Sequence, residues 1–243
     1  MRQHGIGKAG GLVAGGLLLL LSLLSACSTE PPPRPAIPPP PPPRIESVWP
    51  RREVLRLAVR AYRCAQRDGR IQRPRLTVVD YSLPSTRPRL WVIDLERRQV
   101  LHNELVAHGE GSGQTMAVAF SNETGSHQSS LGLFRTANPY VGRFGYSLHL
   151  EGLEPGINDR ARERAIVVHG FDRVSRAIAA QSGTIGTSWG CLALPQDSAP
   201  QIIDSIAGGS AIFAYYPDPR WLAESPYLHC DLQLAGNDPI RRQ

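Results

Sequence analysis

Residues 183–195 read GTIGTSWGCLALP, a glycine-punctuated loop that presents one cysteine, Cys191, just before an apolar run. Upstream, residues 166–170 read IVVHG, an apolar stretch that predicts a strand ending in a histidine. A strand that ends in this way places the side chain of His169 at the rim of a sheet. The two segments together predict a sheet edge that carries a thiol and an imidazole.

Outward from these segments, most of the pattern is that of strands. Apolar β-rich runs recur at residues 76–81, 90–95, 99–107, 131–136, 146–150, 165–169 and 211–216. Apolar residues at spacings of three and four predict a helix over 51–67, with Gly69 as its stop. Two shorter helices are predicted, one over 172–181 capped by Asp172, the other after Asp197 and ending at Gly208. The chain is predicted to be mainly β with inserted helices, an α+β fold rather than an alternating βαβ array.

Cys191 and His169 are a candidate nucleophile and base. The thiolate is the nucleophilic form of cysteine, and an ordinary thiol is largely protonated at neutral pH. A nearby imidazole can take the proton. Backbone N–H groups near Gly190 and Cys191, in the loop that starts at Ser188, are candidates for an oxyanion hole. The residue types therefore predict acyl transfer through a thioester, with a buried structural cysteine as the alternative.

The first residues have the pattern of an export signal. Arg2 and Lys8 precede an apolar run at 12–24, which is shorter than the roughly 20 residues of a membrane span. Residues 24–27 read LSAC, which resembles a bacterial lipoprotein cleavage box with Cys27 as the lipidated residue. The serine after Cys27 favours an exported protein anchored to the outer membrane and facing the periplasm. A retained anchor helix is the alternative.

Charge and residue spacing exclude several partners. Removal of residues 1–26 lowers the formal charge from +6 to +4, because Arg2 and Lys8 are lost and no acid is. A mild positive excess suits an anionic partner such as the cell wall. There is no basic stripe interleaved with aromatic residues, so nucleic acid is not a predicted partner. The spacings typical of metal ligands are absent from the sequence, and no metal or organic cofactor is predicted.

The four cysteines are Cys27, Cys64, Cys191 and Cys230. If Cys27 carries lipid, three remain, and outside the cytoplasm an odd number leaves at least one thiol free or paired between chains. Cys64 and Cys230 lie near opposite ends of the folded region and are a candidate disulfide, which would leave Cys191 reduced. The alternative for each is a small buried hydrophobe.

The histidine and cysteine segments resemble those of the murein L,D-transpeptidase catalytic-domain family (YkuD-like), in a divergent branch. The family carries a histidine–glycine pair and a Ser-x-Gly-Cys loop, here His169-Gly170 and residues 188–191, and Cys191 follows His169 by 22 positions. Residues 121–132, 150–159 and 161–166 also resemble that branch. The resemblance covers about residues 76–216 and implies an L,D-transpeptidase-like β-sandwich.

The resemblance also implies roles. Cys191 would be the nucleophile, His169 its base and Gly170 the residue whose backbone carbonyl orients the base, with peptidoglycan stem peptides as substrate. Two positions depart from the family: Trp189 stands where a histidine is usual, and Ala193 where a polar residue, often arginine, is usual. Those groups help to bind substrate carboxylates. Arg162 and Arg164 are candidate replacements, with surface arginines as the alternative.

The predicted organisation is a signal peptide at 1–26, a proline-rich linker at 27–48, an N-terminal helix region at 49–74, a catalytic domain at 75–217 and a C-terminal tail at 218–243. Residues 31–43 are almost all proline, which predicts an extended spacer of roughly 40 Å between membrane and domain. Three functions stay open: an L,D-transpeptidase, a hydrolase of stem peptides or wall–lipoprotein links, and a non-catalytic wall-binding lipoprotein.

Overall fold

The computed structural model describes residues 49–230. The predicted signal peptide, Cys27 and the proline-rich linker lie outside the described residues, as do residues 231–243. The described elements are, in order, α1 (Arg52–Arg67), β1 (Arg75–Asp80), β2 (Leu90–Asp94), β3 (Gln99–Glu104), β4 (Gly132–Gly142), β5 (Gly145–Gly152), β6 (Val167–Phe171), α2 (Arg176–Ser182), β7 (Leu192–Pro195), α3 (Ala199–Ile206), β8 (Ala211–Tyr215) and α4 (Pro219–Glu224). Within residues 49–230, no helix is both long enough and apolar enough to cross a bilayer.

The eight strands form one hydrogen-bonded sheet in the order β3-β2-β1-β8-β4-β5-β6-β7. The pairs β1–β8 and β6–β7 are parallel, and the other neighbours are antiparallel. Strands β1, β2 and β8 are buried along almost their whole length, and apolar residues make up half of β1 and most of β2 and β8. The predicted mainly β fold with inserted helices is confirmed.

Helix α1 packs its apolar face on the sheet, as the spacing of its residues predicts. It contacts β1 and β8, in the middle of the sheet. It ends at Arg67 with Asp68 as its C-cap, and Gly69 has a φ of +69°, a left-handed conformation that glycine adopts without strain. Its buried residues are Val54, Ala58, Ala61, Tyr62, Cys64 and Ala65.

Strands β4 and β5 form a hairpin that extends well beyond the strands predicted at 131–136 and 146–150. The strand register shifts between Thr136 and Pro139, and the residues beyond this irregularity are mostly exposed. Arg143 and Phe144 form the two-residue turn between the strands. The extension escaped prediction because residues 137–145 lack the alternation of a half-buried strand. The hairpin turn is nevertheless a wall of the functional site described below.

Two short helices differ from the sequence prediction. The start predicted at Asp172 is wrong: α2 begins at Arg176, and the Ser175 side chain caps it by accepting a hydrogen bond from the Ile178 N–H at 3.1 Å. Helix α4 lies in the stretch interpreted as a tail without periodicity. Its Trp221 is 2% exposed and packs on aromatic residues of β8. Six residues are too few to show a helical period.

Cys64 of α1 and Cys230 are joined by a disulfide, with their Cα atoms 6.2 Å apart. The link spans 166 residues of sequence and ties the start of the domain to the end of the described chain. Cys191 is the free cysteine of residues 49–230. The described cysteines thus form the candidate pair Cys64–Cys230, and Cys191 is left as the free thiol.

Candidate active site

The parallel pair β6–β7 brings the two reactive residues to one cavity. His169 of β6 lies opposite Ala193 of β7, and Cys191 immediately precedes β7. Only 3% of His169 and 6% of Cys191 is exposed. Both side chains line a cavity of about 310 Å³. The strand end and the glycine loop that the sequence singles out therefore meet at the same place.

The ring of His169 is held by its neighbour in the chain. Its Nδ1 atom lies 2.8 Å from the Gly170 carbonyl oxygen, which can only accept, so Nδ1 donates the hydrogen. The other ring nitrogen, Nε2, then has a free lone pair and can take a proton. Burial lowers the pKa of His169, and the contact with Gly170 offsets part of that shift. The resting imidazole is therefore neutral and suited to act as a base.

The Cys191 thiol donates a weak hydrogen bond to the Ala165 carbonyl oxygen at 3.6 Å. Burial raises the pKa of Cys191, and the Val167 backbone and the nearby charges of Arg164 and Arg143 reduce that rise. Ala165 adopts a φ of +53°, which is strained for a residue with a Cβ atom. The resting sulfur is thus protonated, and a base is required to make it nucleophilic.

A tight turn formed by residues 188–191 presents the cysteine. The Ser188 hydroxyl donates to the Cys191 carbonyl oxygen at 2.7 Å and accepts from the Gly190 N–H at 3.1 Å. Gly190 has a φ of +111°, and a Cβ atom there would lie 2.7 Å from the Gln128 carbonyl oxygen. Only glycine fits this position. The predicted oxyanion role of the Gly190 N–H is not available in this geometry, because that group already holds the turn.

The cysteine loop rests on a second loop that contains a buried histidine. The Ser188 N–H donates to the His108 carbonyl oxygen at 2.9 Å, and the Glu110 N–H donates to the Ser188 carbonyl oxygen at 2.7 Å. Arg89 donates to Nδ1 of His108 at 2.7 Å, and Nε2 of His108 donates to the Gly113 carbonyl oxygen at 3.1 Å. Burial and the Arg89 charge lower the pKa of His108 to about 4. The loop that packs against the cysteine loop is thus held by a neutral imidazole, that of His108.

A row of stacked side chains forms one wall of the cavity. Phe144 stacks on His169 with the ring centroids 4.5 Å apart. The Arg143 guanidinium lies 4.6 Å from the centroid of Phe144 and 5.9 Å from that of Trp189. Trp189 in turn stacks on His127 at 4.6 Å. The β4–β5 turn, the cysteine loop and the 121–130 loop therefore meet at the cavity mouth, where Trp189 is 59% exposed.

The residues predicted to bind substrate divide into two groups. Trp189 and Arg164 line the cavity, whereas Arg162 is exposed and does not. The Arg164 guanidinium is already bound to the 121–130 loop, where it donates to the Ser121 and Gln128 carbonyl oxygens at 2.7 and 2.6 Å. Hydroxyl groups of Ser126 and Ser130 accept further bonds from it. Arg164 therefore organises the cavity wall and has little donor capacity left for a ligand.

Sequence reasoning missed Arg143 and Phe144. Two glycines flank them, Gly142 and Gly145, and a pair of residues between two strand patterns is a hairpin-turn signal. The position of that turn over His169 depends on the β5–β6 register, which has no local signature. Within residues 49–230, no three His, Cys, Asp or Glu side chains are grouped as metal ligands would be.

The chain is similar to several solved structures, each at low sequence identity. An L,D-transpeptidase from Mycobacterium smegmatis is 14% identical, with 59% of each chain covered and a TM-score of 0.36. An L,D-transpeptidase from Stackebrandtia nassauensis is 12% identical, with 67% of this chain and 68% of that chain covered and a TM-score of 0.36. A helical cell shape determining protein from Campylobacter jejuni is 10% identical, with 68% and 57% covered and a TM-score of 0.42.

The present chain spans 59% of the length of the Mycobacterium smegmatis structure. A search of the curated proteins finds no match. The family model described as the L,D-transpeptidase catalytic domain matches residues 48–215, well over half of the 243 residues. That range contains His169, Cys191 and every residue of the cavity they share. The chain belongs to the L,D-transpeptidase catalytic-domain family.

Proposed function

We propose that the protein is a peptidoglycan L,D-transpeptidase that moves an acyl group between stem peptides through a thioester on Cys191. The observation that carries this proposal is the shared cavity of a buried thiol and an imidazole whose Nδ1 hydrogen is fixed by Gly170. A buried cysteine with a purely structural role needs neither an open cavity nor an oriented base.

The reaction starts from a neutral thiol and a neutral imidazole. As Sγ of Cys191 attacks the carbonyl carbon after the L-centre of diaminopimelate, its proton passes to Nε2 of His169. The C–N bond then breaks, His169 returns the proton to the leaving nitrogen, and D-alanine departs. An amine of a second stem peptide attacks the thioester and forms the new amide. Its proton passes through His169 back to the sulfur.

The negative oxygen of the tetrahedral intermediates needs a hydrogen-bond donor. From the sequence, the N–H groups of Gly190 and Cys191 are the candidate donors. Because the Gly190 N–H is bound to Ser188, we assign this role to the Cys191 N–H. In this assignment Ser188 acts indirectly, by fixing the turn that orients the Cys191 backbone.

The acceptor decides between transfer and hydrolysis, and one experiment separates them. The purified protein is incubated with tetrapeptide muropeptides, and the products are identified by mass. Dimers that have lost D-alanine support the proposal. Truncated monomers would instead indicate a hydrolase. Unchanged muropeptides, together with protein that co-sediments with sacculi, would indicate a non-catalytic wall-binding protein.

We propose that Arg143 binds a carboxylate of the stem peptide. It lines the cavity, and among residues 49–230 no carboxylate forms an ion pair with it. Phe144 and Trp189 lie against its guanidinium and limit its movement. Arg143 thus supplies a cation in a cavity that lacks the polar residue the family usually has at the position of Ala193.

The Arg143→Gln variant is expected to raise KM for the tetrapeptide roughly 10- to 100-fold, because it loses one charge-assisted hydrogen bond to the substrate carboxylate. The turnover number should change much less, because the thiol and its base are untouched. Steady-state kinetics measures both. Arg162→Gln, the same change at an exposed site outside the cavity, is the control and should behave as wild type. Equal losses in both variants would exclude a specific role for Arg143.

We further propose that the protein is exported and anchored to the outer membrane through a lipid on Cys27, facing the periplasm. The basic n-region, the apolar run and the LSAC box support this. We expect the mature wild-type chain to start at Cys27 with the added mass of the lipid, and Cys27→Ser to lack that mass and leave the membrane fraction. Intact-mass measurement on fractionated cells checks both. A wild-type chain that keeps residues 1–26 would contradict the proposal.

A further inference from the structure

Helix α1 carries a continuous arginine face on the side that does not pack on the sheet. Arg52, Arg56, Arg60, Arg63 and Arg67 follow one another at spacings of four, four, three and four, which is one face of a helix. All five side chains are exposed. At 1.5 Å per residue the face is roughly 22 Å long. Sequence reasoning noted the apolar face of this helix and missed the arginine face.

The arrangement is unfavourable for an isolated helix. Like charges three and four residues apart repel and lower helix stability. Within residues 49–230, no carboxylate lies at ion-pair distance from Arg52, Arg56, Arg60 or Arg63. Arg60 has one polar contact, a hydrogen bond to the Leu228 carbonyl oxygen at 3.3 Å. The charges of Arg52, Arg56, Arg60 and Arg63 are therefore available to an external anion.

The flanking sequence does not supply the missing negative charge. Residues 27–48 contain two acidic residues and two arginines, and residues 231–243 contain the same numbers. Each segment is neutral in formal charge, so neither compensates the arginine face. We therefore expect the negative charge that compensates the arginines to come from a partner outside the chain.

We propose that the arginine face of α1 docks on the surface of a bilayer that contains anionic phospholipid. Guanidinium groups pair with phosphate oxygens in a two-pronged geometry. The apolar neighbours of the row, Leu55 and Val59, are half-buried, so the arginines would lie on headgroups and not insert. If Cys27 is lipidated, the 25 residues from Cys27 to Arg52, which include the extended spacer, tether the face within reach of that surface and raise its effective concentration there.

This docking is independent of the chemistry at Cys191. Helix α1 contacts β1 and β8, whereas the cavity lies at the β6–β7 edge, and none of the five arginines lines it. A protein that failed to turn over muropeptides would still be expected to bind the bilayer, so the two proposals fail separately.

The test uses the mature chain with Cys27→Ser, so that no lipid contributes to binding. It is sedimented with vesicles of phosphatidylcholine alone and of phosphatidylcholine with phosphatidylglycerol. We expect binding only to the anionic vesicles, and its loss at high salt. Arg52, Arg56, Arg60 and Arg63, all changed to Gln, should weaken binding by about ten-fold or more.

The matched control changes four other exposed arginines to Gln, and so alters net charge equally: Arg97, Arg98, Arg162 and Arg173. This control should bind anionic vesicles nearly as wild type does, and both variants should keep the wild-type melting temperature or exceed it. Equal weakening in the two variants would show that net charge alone acts and would overturn the proposal. Binding to purified sacculi in preference to anionic vesicles would also overturn it, in favour of a cell-wall partner.

Discussion

The Cys191→Ala variant is expected to form dimers from tetrapeptide muropeptides at least about 10³-fold more slowly than wild type, because the proposed thioester forms on the sulfur that it lacks. The thiol's hydrogen bonds, to the Ala165 carbonyl oxygen and with the Val167 backbone, involve sulfur and are weak, so its removal should cost the fold little. Product formation is measured by mass spectrometry, and the melting temperature is measured on the same preparation.

A second variant separates chemistry from packing. Cys191→Ser keeps a side chain of similar shape that can still donate to Ala165, but a serine hydroxyl is a far weaker nucleophile beside the same base. We expect it to be as inactive as Cys191→Ala and to melt within a few degrees of wild type. Wild-type mass spectra with substrate should show an adduct of the stem without D-alanine, absent from both variants. Wild-type turnover by Cys191→Ala would exclude covalent catalysis at this residue.

Removing the disulfide should produce the largest loss of stability. A link across 166 residues restricts the unfolded chain strongly, and the loop-closure estimate is about 5 kcal/mol, with roughly 2–5 kcal/mol usual for small exported domains. We expect Cys64→Ala combined with Cys230→Ala to lower the free energy of unfolding by about 3–5 kcal/mol. Denaturant unfolding of the two proteins, with Cys27→Ser in both, measures the difference.

Reduction supplies the matched control for that prediction. A thiol reductant should shift the unfolding midpoint of the disulfide-linked protein toward that of the double alanine variant and leave the variant itself unchanged. The free cysteine, Cys191, is present in both proteins and does not enter the comparison. If the two midpoints coincide without reductant, the link contributes no stability.

The parts of the fold and site that sequence could predict are those with a local signature. The strand before His169 and the apolar run after Cys191 each have their own pattern, and α1 shows its helical period directly. Fold class follows from many such segments together. The α2 start differs because Asp172 and Ser175 are both good caps, and the cap that forms is Ser175, whose side chain accepts from the Ile178 N–H.

The features that sequence could not predict depend on long-range register. Arg143 reaches the cavity because β4 and β5 extend past the core and β5 pairs with β6. The sequence around Arg143 has no local pattern that predicts either feature. From sequence, Arg164 is a candidate to bind a carboxylate, but in the structure its guanidinium donates to carbonyl oxygens of the 121–130 loop. From sequence, the Gly190 N–H is a candidate donor to an oxyanion, but in the structure it donates to the Ser188 hydroxyl.

Burial of Cys191 has a consequence for the chemical survival of the protein. Peroxides and foreign disulfides react with thiolates and only slowly with protonated thiols. Because burial raises the pKa of Cys191, a smaller fraction of its sulfur is in the thiolate form that these oxidants attack, and only 6% of the residue is exposed to them. We therefore expect the burial of Cys191 to slow both its oxidation and its exchange with the Cys64–Cys230 bond.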